Sequence, residues 1–82
     1  MRTGGAGKRR DGNEPAIVAA LEAIGAQVWR LHEPGVGDLL VRWRGQLFCF
    51  EVKGPNGRLT HYQGAFPVCR TAEDALRYMG AM

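Results

Sequence analysis

Two cysteines are all that this 82-residue chain offers for covalent cross-linking, and Cys49 and Cys69 both sit in apolar, strand-like contexts. An extracellular disulfide scaffold is therefore not expected, and the two are read as buried thiols. Adding His32 and His61 gives four scattered potential zinc ligands, without the close pairs that structural zinc sites use, so no zinc is expected. No apolar run approaches membrane-spanning length, and no membrane partner is expected. The opening MRTGGAGKRRDG carries positive charge with no apolar stretch behind it, unlike a secretory signal. A cytoplasmic location is the expectation. Its GGAGK also fails as a phosphate-binding loop: Arg2 stands where the first glycine belongs, Arg9 replaces the Ser/Thr, and no strand precedes it.

What is present suits one small globular domain. Hydrophobic residues make up 45% of the chain and charged ones 23%, which argues against disorder. A chain this short buries only about 60 to 65% of its unfolded surface, so one core is the limit. The net charge of +3 is mild, but Lys8, Arg9 and Arg10 cluster near the start, while Arg42, Arg44 and Arg58 fall near predicted turns. That permits a polyanionic partner without requiring one. Residues 1–10, Gly-rich and basic, are expected to be a flexible tail, and residues 11–82 a single domain.

Along the domain, DGNEPAIVAALEAIGA has the pattern of a helix: Asp11 as cap, Glu14 three residues on, Pro15 in the first turn and Gly25 near the end. Ile17, Leu21 and Ile24 form its apolar stripe, and one turn further back lies Glu14. Its carboxylate either completes a capping box or points toward whatever the helix packs against; from this helix alone the first reading has the better claim. AQVWRLH, DLLVRW and LFCFEVK read as three strands, the last two joined through RGQ, and their nearly continuous apolar centres predict a sheet covered on both faces. After Gly54, Pro55 and Gly57, LTHYQ opens a short helix capped by Thr60. FPVCR is a fourth strand, and TAEDALRYMG a terminal helix with a Thr71 to Asp74 capping box and Gly80 as its stop. The expected order is α-β-β-β-α-β-α, an α/β class with a mixed sheet flanked by helices and a short second helix.

The chemistry gathers at one end of the central hairpin. With Arg44 and Gly45 as a two-residue turn, Trp43 lies opposite Gln46 and Asp38 opposite Glu51, whereas a three-residue turn would put Phe50 opposite Asp38. Facing Cβ atoms are about 4.5 to 5.5 Å apart, so two carboxylates there repel unless something positive holds them. Lys53 projects to the same face as Glu51. Two carboxylates and water suit a hard divalent cation, and an adjacent ammonium can orient or deprotonate an attacking water. The plain alternative is a surface salt bridge.

GD followed by EVK, after a helix carrying Glu14 and before LTHYQ, resembles the PD-(D/E)xK nuclease superfamily, and more narrowly the small phage and bacterial VRR-NUC proteins, similar in fold to Holliday-junction resolvases. The likeness spans roughly residues 9 to 80, through RRDGNE, IVAALEAIGAQVW, GVGDLLV, FEVKGP, RLT with Gln63, and CRTAEDAL. It implies a restriction-endonuclease-like core in which Asp38, Glu51 and Lys53 are catalytic, Glu14 is the helix-borne acid that supports the metal site and is an additional candidate ligand, Gln63 assists from the following helix, and the Val52 backbone carbonyl joins Asp38 and Glu51 on Mg2+ or Mn2+. Gly37 departs from the usual proline, and only GAFP separates Gln63 from Val68 where the family has a longer helix.

The resulting expectation is a metal-dependent DNA endonuclease of a bacterial or phage-infected cell, leaving a 3′-hydroxyl and a 5′-phosphate and selective for structures such as four-way junctions. Lys8, Arg9, Arg10, Arg58 and His61 are its candidate DNA contacts, although His61 and Tyr62 more simply cover a helix face. Trp29 and Trp43 are expected in core or edge packing. A homodimer is expected from the small size and shortened helix, with two-fold related sites for paired nicks. Two rivals stand beside it: a non-catalytic nucleic-acid-binding module on the same fold, and a small interaction domain with surface ion pairs.

Overall fold

A computed structural model describes residues 12–54 and 66–82. The expected tail with Lys8, Arg9 and Arg10, the Asp11 cap, Arg58, and the short helix with His61, Tyr62 and Gln63 lie outside the described residues.

The first helix, α1 (Glu14–Ala23), starts at Asn13 and takes Pro15 in its first turn, where a missing N–H costs no helical bond. It stops at Gly25, whose φ of +89° a side-chain-bearing residue adopts only with strain. Ile17, Val18 and Leu21 are buried. Ile24, expected on that stripe, is exposed, because it sits at the C-cap with the backbone already leaving the helix.

Four strands follow: β1 (Gln27–Arg30), β2 (Leu39–Trp43), β3 (Gln46–Val52) and β4 (Val68–Cys69), in the sheet order β1-β2-β3-β4. The β2–β3 hairpin turns on Arg44 (φ 50°) and Gly45 (φ 77°), the left-handed pair that a two-residue turn needs to match strand twist. The pairing runs from Trp43 with Gln46 to Leu39 with Phe50, the register expected for that turn. β1 and β2 are also antiparallel, whereas β4 runs parallel to β3. A parallel neighbour demands a crossover of a dozen or more residues, and Lys53 to Pro67 supplies it. The described residues thus form a small α/β unit with a mixed four-stranded sheet and two helices.

Alternation sorts the sheet into two unlike faces. Leu39 and Val41 of β2, with Phe50 and Val52 of β3, are buried in one core with Ile17, Val18 and Leu21 of α1, Cys69 of β4, and Ala75 and Met79 of α2 (Ala72–Met79). The intervening positions are different: Leu40 and Cys49 are half-buried, and Arg42, Leu47 and Trp29 are exposed. A sheet covered on both faces was the expectation from the apolar runs; among the described residues both helices serve the same face, so the other meets solvent near the turn. Trp43 packs against the core edge with its indole N–H donating to Ile24 O at 3.3 Å, while Trp29 stays at the open edge strand.

α2 follows its sequence closely. Asp74 N donates to Thr71 Oγ1 (3.1 Å) and Thr71 N to Asp74 Oδ2 (3.2 Å), which closes the capping box, and Gly80 ends the helix at φ 82°. Tyr78 sets its ring edge-on to Phe50 and Phe48, at 5.5 and 6.2 Å between centroids.

Candidate active site at the open end of the hairpin

Gly37 brings the chain onto β3 at a distance no other residue permits. A Cβ there would lie 2.5 Å from Cys49 Sγ and 2.9 Å from the Phe50 carbonyl oxygen. Where the resembled motif has proline, this chain fills the space with a cysteine side chain from the next strand. Asp38 is then tied on both sides: its N–H donates to Phe50 O (2.7 Å), and its carbonyl accepts from Leu31 N (2.9 Å).

The expected face-to-face pairing of Asp38 with Glu51 requires correction. The ladder ends at Leu39 with Phe50, and Asp38 turns its Oδ2 onto the backbone N–H of Val52 at 2.8 Å. That hydrogen bond supplies part of the positive partner that two adjacent carboxylates need. Lys53 supplies another, with Nζ 3.9 Å from Glu51 Oε2. Asp38 is 7% exposed and Glu51 3%, so neither is a surface charge.

Neighbouring strands lock the segment that carries these groups. Glu51 N donates to Pro67 O (2.8 Å) and Lys53 N to Cys69 O (3.1 Å), fixing β3 against β4. Asn13, which sequence reasoning treats only as part of a helix start, makes no side-chain cap. Its amide nitrogen instead donates to the carbonyls of Lys53 (3.0 Å) and Arg70 (2.7 Å), joining the start of α1 to the ends of β3 and β4. Partners 40 and 57 residues away leave no local signal in the sequence. Glu14, on the first turn of α1, is 2% exposed and meets Arg30 Nε at 3.4 Å. Of the two readings of Glu14, an inward-facing carboxylate is the one observed, and Arg30 is a second residue that local patterns did not single out.

Cys69 reports how closely these acids gather. Burial pushes its thiol up to about 12, and the Asp74, Asp38, Glu14 and Glu51 carboxylates push the same way. Three of those acids are the ones expected at the site, so Glu14, Asp38 and Glu51 each lie within electrostatic reach of the Cys69 thiol. The thiol stays protonated at neutral pH and is no nucleophile.

Among the described residues, no group of three His, Cys, Asp or Glu side chains is placed to hold a metal. The candidate oxygen donors are the Asp38 and Glu51 carboxylates and the Val52 carbonyl. Glu51 N and Lys53 N bond toward β4, whereas Val52 N bonds the other way, toward Asp38. The C=O of a strand residue points to the same side as its N–H. Val52 O is thereby directed toward the Asp38 side, beyond the last pair of β2. Hard oxygen donors of this kind fit Mg2+ or Mn2+, and a carboxylate has lone pairs to spare after one hydrogen bond. Gln63 and the DNA contacts expected at Lys8, Arg9, Arg10, Arg58 and His61 lie outside the described residues. No helix among the described residues is long and apolar enough to cross a membrane.

No protein-family model matches the chain, and no curated protein or solved structure matches it significantly.

Proposed function

We propose that the protein is a Mg2+-dependent DNA endonuclease on a restriction-endonuclease-like core, acting on branched DNA such as four-way junctions as a homodimer. The observation that carries the reading is the burial of Asp38 and Glu51 at one strand end with an ammonium alongside. Surface ion pairs contribute about 0 to 1 kcal/mol and need no burial, whereas buried carboxylates cost stability unless closely compensated. Burial of both at one strand end favours a site over a surface ion pair. The resemblance to the PD-(D/E)xK nucleases, including the VRR-NUC proteins, assigns that chemistry to this set of residues. The parallel β3–β4 step supports the same core, because its crossover is where the second helix is expected.

Asp38, Glu51 and the Val52 carbonyl would hold the cation, which when bound supplies Lewis acidity and a lowered water pKa. Lys53 donates to the attacking water and to the phosphate, orienting in-line attack and offsetting charge. Val52 N–H holds Asp38 in place, Glu14 orients Arg30 at the adjoining helix start, and Gln63 assists placement. The products are a 3′-hydroxyl and a 5′-phosphate. The basic residues at 8 to 10, with Arg58 and His61, would bind phosphates, and a two-fold dimer would present two centres to a symmetric junction.

The test is cleavage of labelled four-way junction, flap and duplex DNA with Mg2+ or with chelator, alongside sedimentation. Asp38→Asn and Glu51→Gln are expected to abolish cleavage and keep DNA affinity, and Lys53→Ala to lower turnover strongly at unchanged metal affinity. Undiminished Mg2+-dependent cutting by both carboxylate variants overturns the site. Salt-sensitive DNA binding with no cleavage under any divalent cation would instead select the non-catalytic module.

A further inference from the structure

Beside β4, on the exposed flank of α2, lies a cleft of about 460 Å3 lined by Val68, Arg70, Asp74, Arg77 and Tyr78. Its wall borders the strand that carries Glu51 and leads into Lys53. Val68 is the parallel partner of Glu51, one strand spacing away, and the Arg70 guanidinium reaches across to Gly54 O at 2.6 Å, one residue past Lys53. The acid in the cleft is already engaged, since Asp74 Oδ2 accepts the N–H groups of Arg70 and Thr71 at 2.9 and 3.2 Å. The cations are placed to meet an anion. Arg77, with 63% of its side chain exposed, is held by Glu73 in a solvent-exposed i,i+4 pair that a phosphate can displace at little cost. Tyr78 is 59% exposed, yet Phe48 and Phe50 brace its ring.

We infer that this cleft is a nucleotide subsite, in which an unpaired nucleotide flanking the cleaved phosphodiester stacks its base on Tyr78 while Arg77 and Arg70 take its phosphate. A planar, braced aromatic beside two guanidiniums matches the two faces of a nucleotide, stacking for the base and forked donors for the phosphate. A paired base must first unpair and unstack to reach Tyr78, so the subsite favours flaps and branch points over continuous duplex. The inference rests on the nucleic-acid reading above, and its test is arranged so that the two fail separately.

Affinity for a labelled oligothymidine strand is measured in chelator, where no cleavage occurs, for the native chain, Tyr78→Ala, Tyr78→Phe and Arg77→Gln. Tyr78→Ala is expected to weaken binding about tenfold, and Tyr78→Phe to preserve it because the ring remains. Arg77→Gln is expected to weaken binding several-fold and to reduce the salt slope by about 0.7. Arg77 lies outside the core, so its variant decides the matter if Tyr78→Ala does not fold. Unchanged affinity in a folded Tyr78→Ala protein, or an unchanged slope for Arg77→Gln, overturns the subsite. So does a shift from dimer to monomer in these variants with DNA affinity intact, which would make the cleft a contact between copies. A chain that binds through Tyr78 but never cuts DNA retains the subsite and loses the nuclease reading; one that cuts with affinity insensitive to Tyr78 does the reverse.

Discussion

The two ends of the β2–β3 hairpin are built on opposite plans. At the turn end, Arg44 and Gly45 hold the left-handed conformation by themselves, Arg44 lies 4.4 Å over its neighbour Trp43, and Leu47 is 65% exposed. The turn itself is set within a few residues, and its longer-range ties, such as the Trp43 indole to Ile24 O, are exposed. At the open end, Asp38 and Glu51 are buried, and their surroundings come from α1 through Asn13, from β4 through Pro67 and Cys69, and from the chain before β2 through Gly37. Charge is held out of water only where segments distant in sequence converge on it. The difference separates a part of the hairpin fixed by its own turn from a part whose buried charges depend on distant segments.

The sharpest test of that contrast is Asn13→Ala. It leaves two carbonyls without their donor, and each such loss costs about 1 to 3 kcal/mol when shielded from water, so a loss of at least about 2 kcal/mol in urea unfolding is expected. Thr71→Ala, which removes a self-contained cap, should cost only about 1 kcal/mol. Equal losses would mean that the open end draws no special support from α1.

Gly37→Ala comes next. Its new Cβ meets both a sulfur and a backbone oxygen, and overpacking of this kind costs about 1 to 3 kcal/mol. Adding Cys49→Ala relieves the contact with sulfur but not that with the Phe50 carbonyl, so partial recovery of the urea midpoint is expected; none would place the strain elsewhere.

A third comparison uses pH. Cys69 ionises at 9.0 in its unperturbed state and near 12 when folded. Its contribution is complete below pH 9 and is lost as pH rises toward 12, because only the unfolded thiol releases its proton there. The loss is about 1.4 kcal/mol per pH unit within that window. Cys69→Ala and Cys69→Ser should both unfold with a shallower alkaline dependence than the native chain, and a parallel dependence would mean that burial and the neighbouring carboxylates do not hold this thiol protonated.

The smallest effect belongs to the turn. Arg44→Asn introduces the residue that favours this conformation but gives up the contact with Trp43, and each is worth about 0.5 to 1 kcal/mol. The expected net change is below about 0.5 kcal/mol in thermal or urea unfolding, with cleavage unaffected. A large loss would show that the turn end also supports the site.

Most of the local architecture was legible because the signals are local. Thr71, Asp74 and Gly80 delimit α2 within one stretch of chain, and Arg44-Gly45 between apolar runs sets the hairpin register. That register alone places Asp38, Glu51 and Lys53 at one end of the hairpin. Where expectation and structure part, the missing information is non-local. Apolar runs in β2 and β3 do not reveal that both described helices pack on one face. The register extended to Asp38 does not foresee that this residue leaves the ladder to accept the Val52 N–H.

By itself, the sequence determined the sites of α1, α2 and the four strands, the turn, the capping box, and the residue types gathered at the open end of the hairpin, because these follow from backbone preference and side-chain period along a short stretch. Only the tertiary structure decided that Asn13 clasps Lys53 and Arg70, that Glu14 turns inward to Arg30, and that Cys69 sits among the carboxylates. Each of these depends on which segments meet in space. That is set by burying one apolar face against another, and the residues joined at the seam share no signal in the linear chain.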